Sequence, residues 1–223
     1  MSQLTDSQVD LIANQVASLL NPKAQEVPRE KKTPGLTGKS SSGGYGVFNS
    51  VNSAVKAGRK AYEALNALTL EQRSRIIDSI RAKMRLYAEE LALKAHTETG
   101  MGRYEDKVLK NQLVIEKTQG PEALVPEALS GDGGLTLTEW APYGVIGSIT
   151  PSTNPTSTII CNTIGMVAAG NAVVFNVHPM AKTVSILNVE LINEAVIEAG
   201  GPPNLVTTVA SPTIASANEL MTH

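Results

Sequence analysis

Hydrophobic positions along the chain follow two different rhythms. From Val51 to Lys117 they recur at helical spacing; from about Leu135 onward, short apolar runs alternate with helix-length segments. The helical half predicts three elements. Residues 51–67 form a helix with Val51, Val55, Tyr62 and Leu65 inward. A long helix runs from Leu70 to about Lys94, with Ile76, Ile77, Ile80, Met84, Tyr87 and Leu91 as its apolar face. It opens on Thr69-Leu70-Glu71-Gln72, a capping-box pattern in which Thr hydroxyl and Gln side chain satisfy reciprocal backbone N–H groups. After a break at Gly100-Met101-Gly102, a third helix covers Glu105 to Lys117, and the Arg, Lys and Glu residues of this half read as solvated faces.

The second half reads strand, helix, strand. LTLTEW (135–140) alternates like a half-exposed strand. VIGSI (145–149), AVVF (172–175) and LVTTV (205–209) are buried strands, separated by helices over Thr156–Ala169 and Ala181–Ala199; another helix begins after Pro212. Gly170-Asn171 and Gly200-Gly201 fall where helix C-caps belong. This order predicts an α/β fold, a parallel sheet with right-handed crossovers and helices on both faces, preceded by N-terminal helices. Ligands in such sheets sit beyond the carboxyl ends of the strands.

Ahead of the globular part, residues 5–20 place Val9, Ile12, Val16 and Leu19 on one side of a short helix and Asp10, Asn14 and Gln15 on the other. Residues 21–46, rich in Pro, Gly, Ser and charge, read as a flexible linker, with the globular domain from 47 to 223. An amphipathic helix on a tether is either a docking tag or a terminal helix resting on its own domain.

Composition narrows the class. With 42% hydrophobic and 18% charged residues among 223, the chain can bury a sizeable core. Nineteen Lys and Arg against 21 Asp and Glu leave a net charge of -2, which argues against a nucleic-acid partner or a polybasic membrane patch. The single cysteine and three scattered histidines offer neither a disulfide framework nor a metal cluster. No apolar run has membrane-spanning length, and the first residues lack a secretory leader, so a cytoplasmic protein is expected.

Candidate chemistry gathers at the strand ends. The loop Thr150-Pro151-Ser152-Thr153-Asn154-Pro155 carries three hydroxyls and a carboxamide into the start of a helix, where free N–H groups favour an anion or a developing oxyanion. A rigid strand-to-helix turn whose hydroxyls only cap the helix would look the same. Two further loops share this rim, Asn176-Val177-His178-Pro179 and Ala210-Ser211-Pro212-Thr213. No strand is followed by G-x-G-x-x-G or a Walker A lysine. Cys161 falls among Ile159, Ile160 and Ile164 and reads as a small buried hydrophobe without a catalytic role.

Three stretches carry a resemblance: ETGMGRYEDKVLKN (98–111), GDGGLTLTEWAPYGVIGSITPSTNPTSTII (131–160) and AAGNAVVFNVHPMAK (168–182). They resemble the CoA-acylating aldehyde dehydrogenases, above all the acetaldehyde and propionaldehyde enzymes of bacterial microcompartments. The resemblance implies oxidation of a short-chain aldehyde with NAD and coenzyme A to acyl-CoA and NADH, on a Rossmann-like cofactor domain that does without the glycine fingerprint. It implies a homo-oligomer in the bacterial cytoplasm, inside a microcompartment, with residues 5–20 resembling an encapsulation peptide that docks on shell protein. Carried over by position, Thr150, Pro151, Ser152 and Thr153 lie beside the nicotinamide, and Thr153 or Asn154 is the oxyanion donor. His178 and Pro179 replace the usual ribose-binding residues, Asn176 and Pro179 occupying their places, and Ala210, Pro212 and Thr213 lie near adenine and pyrophosphate. The family's nucleophilic cysteine falls beyond Met221-Thr222-His223 and does not match Cys161, so an incomplete cofactor domain is expected that lacks turnover by itself. The alternative is a non-catalytic module that binds nucleotide and docks to a shell.

Overall fold

The structure, a computed structural model, describes residues 45–223. The helix expected at 5–20 and the linker up to residue 44 lie outside the described residues. Six strands and six helices follow: β1 (Val47–Phe48), α1 (Val51–Asn66), α2 (Leu70–Thr99), α3 (Tyr104–Lys117), β2 (Glu127–Gly131), β3 (Gly134–Thr138), β4 (Val145–Ile149), α4 (Pro155–Ala168), β5 (Ala172–Asn176), α5 (Lys182–Glu198), β6 (Val206–Val209) and α6 (Ile214–Thr222).

The main sheet has the order β1-β6-β5-β4, all parallel. Alternation along β5 shows how both faces are filled, since successive strand side chains point to opposite sides. Val173 and Phe175 join the core made by α2, α4 and α5, whereas Val174 meets Val51, Ala54, Val209 and Leu220 on the side of α1 and α6. Beyond α4 and α5, α2 and α3 add an outer helical layer that packs on helices rather than on the sheet. The α/β parallel sheet with preceding helices is therefore as expected.

Local signals account for most boundaries. The capping box forms, with Gln72 N donating to Thr69 Oγ1 at 3.2 Å and Thr69 N to Gln72 Oε1 at 2.9 Å. Gly170 (φ 86°) and Gly200 (φ 79°) take the left-handed conformation just past α4 and α5. There Asn171 N reaches Met166 O at 2.9 Å and Gly201 N reaches Val196 O at 2.8 Å, closing the helix ends in the Schellman manner.

Four expectations need correction. The linker stops earlier, because Gly46 N donates to Asn204 Oδ1 at 2.9 Å and Gly46 O accepts from Thr208 N at 2.7 Å, which brings in β1 as a fourth strand. On α1 the buried stripe is Val51, Ala54, Gly58, Ala61 and Leu65, with Val55 and Tyr62 only half-buried. Small residues let this helix approach the sheet closely, so the larger side chains are displaced to its flanks. α2 continues to Thr99, because Leu91, Ala92 and Ala95 prolong its buried stripe. Finally, LTLTEW is not half-exposed. β3 pairs antiparallel with β2 from Glu127↔Thr138 to Gly131↔Gly134, and every residue of both strands is exposed. Among the described residues no helix is long and apolar enough to cross a membrane.

Candidate active site

The carboxyl ends of β4, β5 and β6 bring the three loops to one rim, and Asn176 at the end of β5 ties them together. Its backbone carbonyl accepts from Thr150 N at 3.3 Å. Its side chain donates to Thr213 O at 3.4 Å and accepts from Ser216 Oγ at 2.6 Å. Thr213 in turn caps α6: Ser216 N donates to Thr213 Oγ1 at 3.0 Å and Thr213 N to Ser216 Oγ at 2.8 Å. Both ends of the buried Asn176 carboxamide are thus engaged within the fold.

The loop after β4 is built differently. Thr150 is buried, and its Oγ1 has no hydrogen-bond partner among the described residues. Pro151 and Thr153 are exposed, while the buried Ser152 directs its Oγ at Met101 Sδ, 3.7 Å away. No side chain caps α4, and the first backbone N–H to close a turn there is that of Thr158, onto Asn154 O at 3.1 Å. Its hydroxyls therefore do not serve as caps, and the turn keeps donors and an acceptor available to a ligand.

What holds this loop is α3. Lys107 Nζ donates to Thr153 O at 2.9 Å, Lys110 Nζ to Asn154 Oδ1 at 3.1 Å, and Thr156 Oγ1 donates to Asn111 Oδ1 at 2.9 Å. Asn111 Nδ2 is anchored on Ala88 O of α2 at 2.9 Å, and Asn188 Nδ2 of α5 reaches Thr156 O at 3.1 Å, so the start of α4 is braced by three helices. Lys107 is only 5% exposed, which corrects the expectation of a solvated face. Burial, and secondarily repulsion from Lys110, pushes its ammonium below the ordinary lysine value.

Between α3 and α4 opens a groove of about 290 Å³, lined by Lys110, Leu113, Asn154, Ser157, Cys161 and Asn162 among others. Cys161 is half-buried in its wall rather than sealed in the core, because it shares a helical face with Asn154 seven residues earlier while Ile159, Ile160 and Ile164 face inward.

The other two loops spend their polar groups locally. His178 Nδ1 accepts from Met180 N at 3.2 Å and caps the short 3-10 turn Pro179–Ala181, with Pro179 exposed. Ala210 N donates to Phe48 O at 2.7 Å, extending the β1–β6 ladder, and Pro212 is buried. Lys107, Lys110 and Asn111 have no site role in the sequence reading, although their i, i+3, i+4 spacing puts them on one helical face and they lie within the EDKVLKN stretch of the resemblance.

Residues 45–223 match the aldehyde dehydrogenase family. The chain belongs to that family. Among curated relatives, an acetaldehyde dehydrogenase (acetylating) of Bilophila wadsworthia is 49% identical over 181 residues, 81% of this chain and 37% of the relative. Among solved structures, a propionaldehyde dehydrogenase from the Clostridium phytofermentans fucose utilisation bacterial microcompartment is 52% identical with a TM-score of 0.76, covering 78% of this chain and 40% of that one. The propionaldehyde dehydrogenase of Rhodopseudomonas palustris, solved with bound CoA and an acylated cysteine, is 48% identical with a TM-score of 0.78, covering 80% and 41%. This aldehyde dehydrogenase chain thus spans about two fifths of the length of these relatives.

Proposed function

We propose that this chain is the cofactor-binding part of a CoA-acylating aldehyde dehydrogenase, an enzyme that converts a short-chain aldehyde such as acetaldehyde or propionaldehyde to its acyl-CoA. The observation that carries the reading is the loop Thr150–Asn154, where a buried hydroxyl without a partner and an uncapped helix start meet on the ligand-binding rim of a parallel sheet. The residues present fit a nicotinamide dinucleotide, NAD: the Thr150 hydroxyl awaits a polar group, and the first turn of α4 suits negative charge. Bound there, the cofactor supplies a hydride acceptor.

The chain's own residues orient the reactants. Asn154 lines both the loop and the groove, so its carboxamide donates to the aldehyde oxygen as negative charge grows on it. Thr153, whose side chain is exposed and whose hydroxyl could also donate, is the other donor candidate. Leu113 and Val114 give the groove an apolar side for a short alkyl chain. The nucleophile is a cysteine outside these 223 residues, in keeping with the acylated cysteine of the Rhodopseudomonas palustris relative. By the same resemblance, residues 5–20 dock the full protein to a microcompartment shell in the bacterial cytoplasm, and the exposed β2–β3 hairpin joins copies into a homo-oligomer.

NADH formation from propionaldehyde, with and without CoA, tests this on the 223-residue chain and on the longest product of its reading frame. Turnover by the longer product alone, and only with CoA, is expected. Turnover by the short chain would make Cys161 or another residue here the nucleophile. Silence from both would leave a nucleotide-binding, shell-docking module.

A further inference from the structure

Two lysines on one face of α3 grip two successive residues of the candidate site, and their chemistry constrains what those residues can do. We infer that Lys107 and Lys110 are positioning residues, a two-point clamp that sets Asn154 Nδ2 as the oxyanion donor. The inference rests on the aldehyde-oxidising reading above.

An ammonium offers only donors, so the Asn154 atom 3.1 Å from Lys110 Nζ must be the carboxamide oxygen. That fixes the flip of the amide and turns Nδ2 the other way, where it makes no hydrogen bond among the described residues and stays free for a substrate oxygen. Without Lys110 the carboxamide loses the bond that disfavours the opposite flip, in which its oxygen would face a developing negative charge, a repulsive arrangement. Lys107 acts one peptide earlier. Its Nζ, 2.9 Å from Thr153 O, holds that carbonyl on the α3 side and so fixes the plane of the Thr153–Asn154 peptide.

The cost of Lys107 argues that its charge has a use. Its residue is 5% exposed and it makes no ion pair among the described residues, and even a partly desolvated ammonium is unfavourable unless its hydrogen bond is needed. Anchoring α4 is not that need, because Asn111 and Asn188 already brace Thr156 on both sides. The two lysines add a constraint at residues 153 and 154 alone.

The test has two arms. In the longest product of the reading frame, Asn154→Ala is expected to lower kcat by about 100-fold and Lys110→Met by about 10-fold, each with the KM for NAD within about twofold of wild type. Lys110→Arg should recover most of the loss. In the Asn154→Ala background, Lys110→Met should cost nothing further, since it acts only through that side chain. A fully additive double variant, or a Lys110→Met enzyme with wild-type kcat beside a crippled Asn154→Ala, overturns the clamp while leaving the aldehyde reading intact. A wild-type product without CoA-dependent NADH formation sinks the aldehyde reading instead. The clamp itself is read on the 223-residue chain by NMR order parameters, because the amides of residues 152–154 make no hydrogen bond among the described residues that exchange would report. Lys107→Met should lower the order parameters of the backbone at residues 153 and 154, and Lys110→Met those of the Asn154 Nδ2 group, from about 0.85 toward about 0.6, with α5 amides unchanged. An unchanged Asn154 Nδ2 order parameter in the exposed Lys110→Met variant, which leaves the core untouched, refutes the positional role of Lys110.

Discussion

The β2–β3 hairpin and the loop between β4 and α4 stand some twenty residues apart in sequence and obey opposite rules. The hairpin has regular pairing over five residue pairs, yet all ten residues are exposed, Leu129, Leu135 and Leu137 among them. The loop has no regular hydrogen-bond ladder, yet Thr150 and Ser152 are buried and its backbone is gripped from α3. Regular backbone therefore says little about where free energy is invested. A two-stranded ribbon in water is marginal by itself, whereas an irregular loop becomes rigid when neighbouring side chains satisfy its polar groups.

The sharpest way to break the contrast is in the core under the loop. Ile160 on α4 is fully buried, so Ile160→Ala should lower stability by about 2–5 kcal/mol in urea titration. A loss below about 1 kcal/mol would mean that α4 is not anchored as described. A smaller effect belongs to Glu98, whose carboxylate accepts from Thr183 N at 2.7 Å and Val184 N at 2.8 Å and so caps α5 from the end of α2. Glu98→Ala should cost about 1 kcal/mol, with Glu98→Gln losing part of that, measured by the same titration. On the hairpin, Leu137→Asp should change the stability of this chain by no more than about 0.5 kcal/mol while reducing self-association in sedimentation. A large loss of stability there would show that the hairpin packs on its own domain.

The smallest expected effect concerns pH. The folded-state pKa of Lys107 lies below its unfolded value of about 10.4, so the unfolded chain binds more protons in the window between the two. Stability contributed by this site therefore rises as pH increases through that window. Lys107→Met should flatten that rise relative to wild type in denaturation series between neutral pH and about pH 10. A steeper rise in the variant would reverse the assigned sign.

Sequence alone determined what depends on near neighbours in the chain. The capping box at Thr69 and Gln72, the glycines past α4 and α5, and the alternation of strand and helix after Val145 each involve residues a few positions apart, where spacing dictates geometry. The rim loops were legible for the same reason, since a parallel sheet must present the ends of its strands together. Three features were decided only in three dimensions. Pairing of β1 with β6 joins Val47 to Thr208, far too distant for any local signal. The small-residue face of α1 was chosen by how closely the helix meets the sheet, not by hydrophobicity. Lys107 looks in sequence like any other charge on a helix; burial and the Thr153 carbonyl 2.9 Å away give it its place, because a side chain's environment is set by what the rest of the fold brings against it.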